Sequence, residues 1–316
     1  MRGPIMSLLI CLLLQAHPQT TTPPPGPVRV YILAGQSNMQ GTGFIPADPK
    51  RNDGKGSLEF LTKDPATSKR FAHLLAESKD GQTTWKTRDD VWIHYLDRKG
   101  RLTPGFGVGP DRIGPELGFG QIIGDQHPGP VLLIKLAWGG KSLAKDFRPP
   151  SANGETGPYY REIVDRTRQV LKDIGREFPE LAGRPHTLSG FGWHQGWNDR
   201  VNQAFNDEYE KNMACFIRDI RKDLAAPNLP FVIAETGMTG PKENHPRALS
   251  LMKAQAAVAT YAEFKGTVAF VPTRDFWRDK ELSPTGQGYH WNTNAETYYL
   301  IGEAMGKAML GLEGKR

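Results

Sequence analysis

Five short stretches, residues 28–33, 131–137, 187–193, 231–235 and 267–271, are apolar almost without interruption instead of at every second position. A strand covered on both faces has no solvent side for polar residues, so runs of this kind predict buried, parallel strands. Between most of them lie segments of helical period. Ile163, Thr167, Val170, Leu171, Ile174 and Phe178 fall on one face, and Phe205, Tyr209, Met213, Phe216, Ile217, Ile220 and Leu224 on another. Further helices are expected over 115–125, where Gly114-Pro115 sets proline in the first turn, over 247–264 and over 294–312. Thr293 and Glu296 have the spacing of a capping box that would open the last helix. The alternation predicts an α/β protein: a three-layer α/β/α sandwich about a mostly parallel five-stranded sheet with right-handed crossovers.

Residues 44–112 do not fit this alternation and form a long insertion after the first strand. It carries Asp53-Gly54-Lys55-Gly56, a helix expected around 68–77, and a hairpin expected from a strand at 90–96 that turns at Lys99-Gly100. Trp85, Trp92, Tyr95 and Phe106 supply enough aromatic surface for the segment to be ordered, and it is expected to wall one side of the active site. Gly105, Gly107 and Gly109 lack the spacing and the preceding strand of a dinucleotide fingerprint.

The 316 residues suit one domain with an insertion. Forty basic against 34 acidic residues give a formal charge of +6, spread along the chain without the clustered stripe that nucleic acid requires, so none is expected as a partner. Arg2, the apolar stretch 5–14 and Gln15-Ala16 have the order of an export signal, with cleavage after Ala16. That stretch is too short to span a bilayer. Residues 1–16 are therefore read as a signal peptide, 17–27 as a Pro/Thr-rich linker and 28–316 as the folded domain of a secreted or periplasmic protein without stable membrane insertion. Removing the signal leaves Cys215 alone, so no intrachain disulfide is expected, and its helical setting reads as a small buried hydrophobe. No pair of the eight histidines has metal-ligand spacing beside a carboxylate, and neither metal nor cofactor is expected.

Chemistry enters at the strand ends. Gly35-Gln36-Ser37-Asn38-Met39 follows the first apolar run, delivering a serine where ligands of open α/β sheets bind. Standing alone it would read as an ordinary strand-to-loop turn. His290 precedes the last helix at the same edge, Trp138-Gly139-Gly140-Lys141 follows the second run, and His194-Gln195-Gly196-Trp197-Asn198-Asp199 follows the third. Ester hydrolysis needs a nucleophile, a base and donors for an oxyanion. Ser37 is the candidate nucleophile and His290 the candidate base; the glycine pair offers a backbone amide and Gln195 a carboxamide. His194 reads as packing beneath the Gln195 loop, and Trp138, Trp193 and Trp291 as core aromatics flanking these blocks.

The blocks resemble those of the SGNH (GDSL-like) hydrolase superfamily, in the branch of sialate O-acetylesterase-like and acetyl-xylan-esterase-like carbohydrate esterases. Gly35 to Met39 matches that branch's GQSNM block, Ala137-Trp138-Gly139-Gly140 its A-x-G-G block, Trp193-His194-Gln195-Gly196 its W-x-Q-G block, and His290 its C-terminal histidine, over residues 28–312. The resemblance implies a flavodoxin-like SGNH hydrolase fold and removal of O-acetyl groups from polysaccharide or sialic-acid-like sugars through an acyl-enzyme. It implies Ser37 as nucleophile, His290 as general base and then acid, and an oxyanion hole from the Ser37 and Gly140 amides and the Gln195 side chain.

Two positions depart from the pattern. Gln287 stands where the family carries aspartate three residues before the histidine, so a Ser37-His290 dyad is expected, its imidazole oriented by a backbone carbonyl near Gln287; the rival is a remote acid, Asp275, Asp279 or Glu281. Trp197 replaces a glutamate and reads as a stacking floor for a sugar ring or as packing against the insertion. Gln36, Asn38 and Lys141, with Asp146 and Arg148, are candidates for polar substrate contacts. Other readings are a general short-chain carboxylesterase and a non-catalytic carbohydrate-binding protein on the same scaffold.

Overall fold

The computed structural model describes residues 24–77 and 83–314, so the 1–16 signal and most of the 17–27 linker lie outside the described residues. In chain order the main strands are β1 (Val28–Gly35), β2 (Val91–Tyr95), β3 (Arg98–Arg101), β4 (Val131–Ala137), β5 (His186–His194), β6 (Phe231–Ala234) and β7 (Val268–Val271). They form one sheet in the order β3-β2-β4-β1-β5-β6-β7, all parallel except β3. All five apolar runs are strands of this sheet, but it has seven strands, not five, because the insertion contributes the β2–β3 hairpin. Val91, Trp92 and Ile93 are buried beside β4, whereas β3, reading Arg-Lys-Gly-Arg, carries the charges that suit an outer edge. The hairpin turns at Leu96-Asp97, with Leu96 at φ 52°, and not at Lys99-Gly100, which pair with His94 and Ile93.

Five long helices cover the two faces: α1 (Pro115–Gln126), α2 (Pro158–Lys172), α3 (Gln203–Asp223), α4 (Pro246–Val258) and α5 (Ala295–Glu313). α2, α3 and α4 pack on Ile32, Ile134, Phe191 and Trp193, while α1 and α5 pack on Tyr31, Leu33, Leu133 and Val232. α1 and α5 cross so closely that a Cβ on Gly302 would strike the Pro115 carbonyl oxygen and one on Gly118 that of Tyr299, which is why both are glycine. Helix limits differ from expectation at four places: the helix expected over 68–77 is only Ser68–Phe71, followed by the turn Ala72–Leu74. α2 stops at Lys172, with Ile174–Glu177 as a separate turn, and α4 stops at Val258 before the turn Ala262–Phe264. α5 is capped by Asn294, whose side chain accepts from the Thr297 amide at 3.2 Å. The Thr293–Glu296 box does not form, because Thr293 has φ 56° and donates to Asn292 O while Glu296 pairs with Arg278.

Register sets the edge where the site is built. Gly35 lies opposite Ala137 on one side and His194 on the other, so the three following segments leave the sheet at one level. The insertion touches two parts of that edge. Val108 donates to Gly41 O beyond Ser37, while the Asn52 side chain donates to the carbonyls of Lys280, Glu281 and Ser283, and Ala295 N to Gly56 O, near His290.

Candidate active site

Gly35 ends β1 at φ +155°, and a Cβ there would run into the His194 carbonyl oxygen; the chain can then turn at once into the single helical turn Ser37–Gln40. Ser37 is half-buried, and its hydroxyl has no hydrogen-bond partner among the described residues. Its neighbours, expected as polar substrate contacts, are used as internal braces. Gln36 is 1% exposed, and its Oε1 accepts from the amides of Gly196 (3.1 Å) and Asn198 (3.3 Å), fastening the Ser37 turn to the third block. Asn38 is 3% exposed and donates through Nδ2 to Tyr289 O at 3.1 Å. Its Oδ1 lies 2.9 Å from the Tyr298 hydroxyl, which is 3.2 Å from His290 O. Through Asn38, the segments of Ser37 and His290, which are distant in sequence, meet directly.

His290 sits in the turn Gly288–Thr293, where Trp291, Asn292 and Thr293 all have left-handed φ, at 52°, 52° and 56°. For non-glycine residues this costs about 1–2 kcal/mol each. Tertiary bonds hold it: Asn292 N donates to Gln287 O (3.1 Å), Thr285 N to Asn292 O (3.2 Å) and Asn292 Nδ2 to Arg278 O (3.0 Å), around a fully buried Trp291. Burial moves the His290 imidazole below its ordinary pKa, which favours the neutral ring. Neither expected orienting partner is made. Among the described residues no group hydrogen-bonds the ring; Gln287 O accepts the His290 and Asn292 amides instead. Asp279 accepts from Trp277 Nε1 at 2.7 Å, and Asp275 and Glu281 lie exposed.

The amides of Ser37, Gly139 and Gly140 donate no hydrogen bond among the described residues, and both glycines are exposed at the edge. Asn198 Nδ2 holds Gly140 O at 2.6 Å. Gln195 does not join them as a third free donor. It is 1% exposed, and its Nε2 is committed to Asp199 Oδ2 (2.6 Å), Lys141 O (3.0 Å) and Gln36 Oε1 (3.3 Å), as a buried amide must be. Asp199 also accepts the Leu143 and Ala144 amides at 2.8 and 2.9 Å, while burial pushes its carboxyl up to about 7 against these donors. Gln195 and Asp199 thus brace the glycine loop from beneath.

The remaining candidates divide. Lys141 Nζ lies 4.6 Å from the Tyr159 ring and 3.6 Å from Asp146. Asp146 accepts from Ser142, and Arg148 donates through Nη2 to both Glu208 carboxylate oxygens and reaches three carbonyls, so both shape the loop. Trp197 is half-buried against Tyr289, their ring centroids 5.8 Å apart. His194 is buried beneath the Gln195 loop as expected; desolvation pulls its pKa down to about 4.

Sequence reasoning missed Lys135. Fully buried in β4, its ammonium donates to Glu116 Oε2 (2.6 Å), Phe106 O (2.6 Å) and Gln40 O (2.7 Å), joining α1 and the insertion to the end of the Ser37 turn. A lone lysine inside an otherwise apolar strand was the available signal, because such a charge is almost never buried without partners.

Comparison with known proteins gives the family. Residues 27–311 match the family described as carbohydrate esterase, sialic acid-specific acetylesterase. The chain is 24% identical over 219 residues to a probable carbohydrate esterase of Arabidopsis thaliana, covering 68% of this chain and 71% of the relative. The solved structure of that Arabidopsis protein superposes with a TM-score of 0.61 at 16% identity, over 90% of this chain and 98% of the other. A carbohydrate acetylesterase from Xanthomonas citri gives a TM-score of 0.52 at 13% identity, covering 88% of this chain and 55% of that one. With a mostly parallel α/β sheet, the sequence blocks gathered at one sheet edge and a family match over nearly its whole length, the chain belongs to the sialic acid-specific acetylesterase family of carbohydrate esterases.

Proposed function

We propose that the protein is a serine esterase that removes O-acetyl groups from carbohydrates through an acyl-enzyme on Ser37. The observation that carries this reading is the Asn38 tether. One buried side chain joins the residue after Ser37 to the peptide just before His290, at an edge where the Ser37 and Gly140 amides are unpaired. In this mechanism the neutral His290 ring takes the Ser37 proton as Oγ attacks the acetyl carbon. The two amides receive the developing oxyanion, and the histidine returns the proton to the departing sugar oxygen. Water then enters by the same steps in reverse order of partners, releasing acetate. The packed turn fixes the backbone that carries His290, in place of a carboxylate bonded to its ring.

Because burial lowers the His290 pKa, the base form persists as pH falls below the ordinary histidine value of about 6.5. The acid limb of kcat/KM is expected to have its midpoint below 6.5; a midpoint above 7 would mean that an acid partner raises the histidine. The function itself is tested by incubating the protein with acetylated xylan, O-acetylated sialic acid and ethyl acetate. Acetate release from a sugar ester supports the proposal. Release from ethyl acetate alone would favour a general carboxylesterase, and sugar binding without release a binding protein.

A further inference from the structure

Among the described residues, Tyr289 is the one aromatic side chain among the strongly exposed large hydrophobic residues, at 42%. It adjoins His290, with ring centroids 4.5 Å apart at 56°. It is also held at two points. Its backbone carbonyl is tied to Asn38, its ring leans on Trp197 at 5.8 Å and 38°, and Trp197 is backed in turn by the Arg200 guanidinium 4.5 Å from its centroid. Arg200 lies 3.9 Å from the Glu243 carboxylate. A guanidinium, an indole and a phenol thus form a layered wall that ends in an exposed aromatic surface beside the proposed base. The Tyr289 hydroxyl has no hydrogen-bond partner among the described residues.

We infer that Tyr289 is the specificity-determining platform for the pyranose ring that carries the acetyl group, with Trp197 as its backing. The inference rests on the proposed esterase function. An ester carbon poised at Ser37 leaves its sugar ring one oxygen away, within reach of a side chain adjacent to His290. A pyranose presents C–H bonds of slightly positive character on its faces, and these suit the negative face of an aromatic ring. The free phenol hydroxyl can bond a sugar hydroxyl at the rim. A rigid ring, already braced, loses little side-chain freedom when the sugar docks. Trp197 contributes by holding the phenol in place, which accounts for an indole where the family pattern carries a glutamate.

The experiment compares the sugar ester that the wild-type protein hydrolyses fastest, acetylated xylan or O-acetylated sialic acid, with ethyl acetate, which has no ring to stack. In Tyr289→Ala the ratio of kcat/KM for the sugar ester to that for ethyl acetate is expected to fall at least about tenfold, mainly through KM, as loss of uniform binding requires. Tyr289→Phe keeps the ring and should stay within about threefold of wild type, and Trp197→Ala should fall between them. A ratio unchanged in Tyr289→Ala overturns the platform and leaves the esterase reading intact. Wild-type protein that releases acetate from ethyl acetate but from neither sugar ester overturns both.

Discussion

Replacing Ser37 with alanine is expected to lower kcat for acetate release by at least about 10⁴-fold, with KM nearly unchanged. The size follows from the division of labour proposed for the site. Without the hydroxyl there is no acyl-enzyme, and what remains is water attacking an ester held near two amide donors. The substitution should leave the fold intact, since the Ser37 hydroxyl makes no hydrogen bond among the described residues and removal of such a group moves stability by about 0.5 kcal/mol or less. Steady-state acetate release and a thermal melt on the same preparation check both halves. A loss of activity that tracks a loss of folded protein would assign Ser37 a structural role.

The largest expected effect on stability lies away from the chemistry. Lys135→Met removes an ammonium that neutralises the buried Glu116 and satisfies the Gln40 and Phe106 carbonyls. Burial alone pulls this lysine below its usual pKa, and the Glu116 carboxylate beside it opposes that shift. Breaking one side of such a pair costs about 3–5 kcal/mol, because the partner is left charged and uncompensated in a low-dielectric interior. Urea denaturation should show a loss of that order, and Lys135→Met combined with Glu116→Gln should recover part of it. The single variant should also lose activity, because Gln40 ends the Ser37 turn and the ammonium joins it to Phe106 of the insertion. A loss below about 1 kcal/mol would contradict the clamp.

The central strands were legible because burial on both faces leaves a sequence imprint that needs no knowledge of partners. The outer hairpin was less so. β2 begins after Asp89-Asp90 and β3 is charged, so neither looks like sheet interior, and the left-handed Leu96 took the turn position that glycine was expected to hold. Three of the candidate blocks could be read from strand ends and His290 from the start of the last helix, since each lies where the chain leaves or re-enters one sheet edge. The roles of Gln36, Asn38 and Gln195 could not. A polar side chain beside a nucleophile reads as substrate-facing, and only the fold reveals that its donors and acceptors are used to bind one block to the next. Likewise, nothing in Trp291, Asn292 and Thr293 announces three left-handed residues. That conformation depends on bonds from Thr285, Gln287 and Arg278, which are local in space but arise from the packed loop as a whole.

In the proposed function the Ser37 turn, the glycine loop and the His290 turn make one hydrolytic site with Ser37 as its nucleophile. Mass spectrometry after treatment with a fluorophosphonate distinguishes this from any other arrangement. One covalent adduct is expected, on the peptide containing Ser37, formed in step with loss of acetate release and sharply slowed in His290→Ala. Acetate release that persists after Ser37 is fully labelled, or inactivation with the adduct on another residue, would place the nucleophile elsewhere.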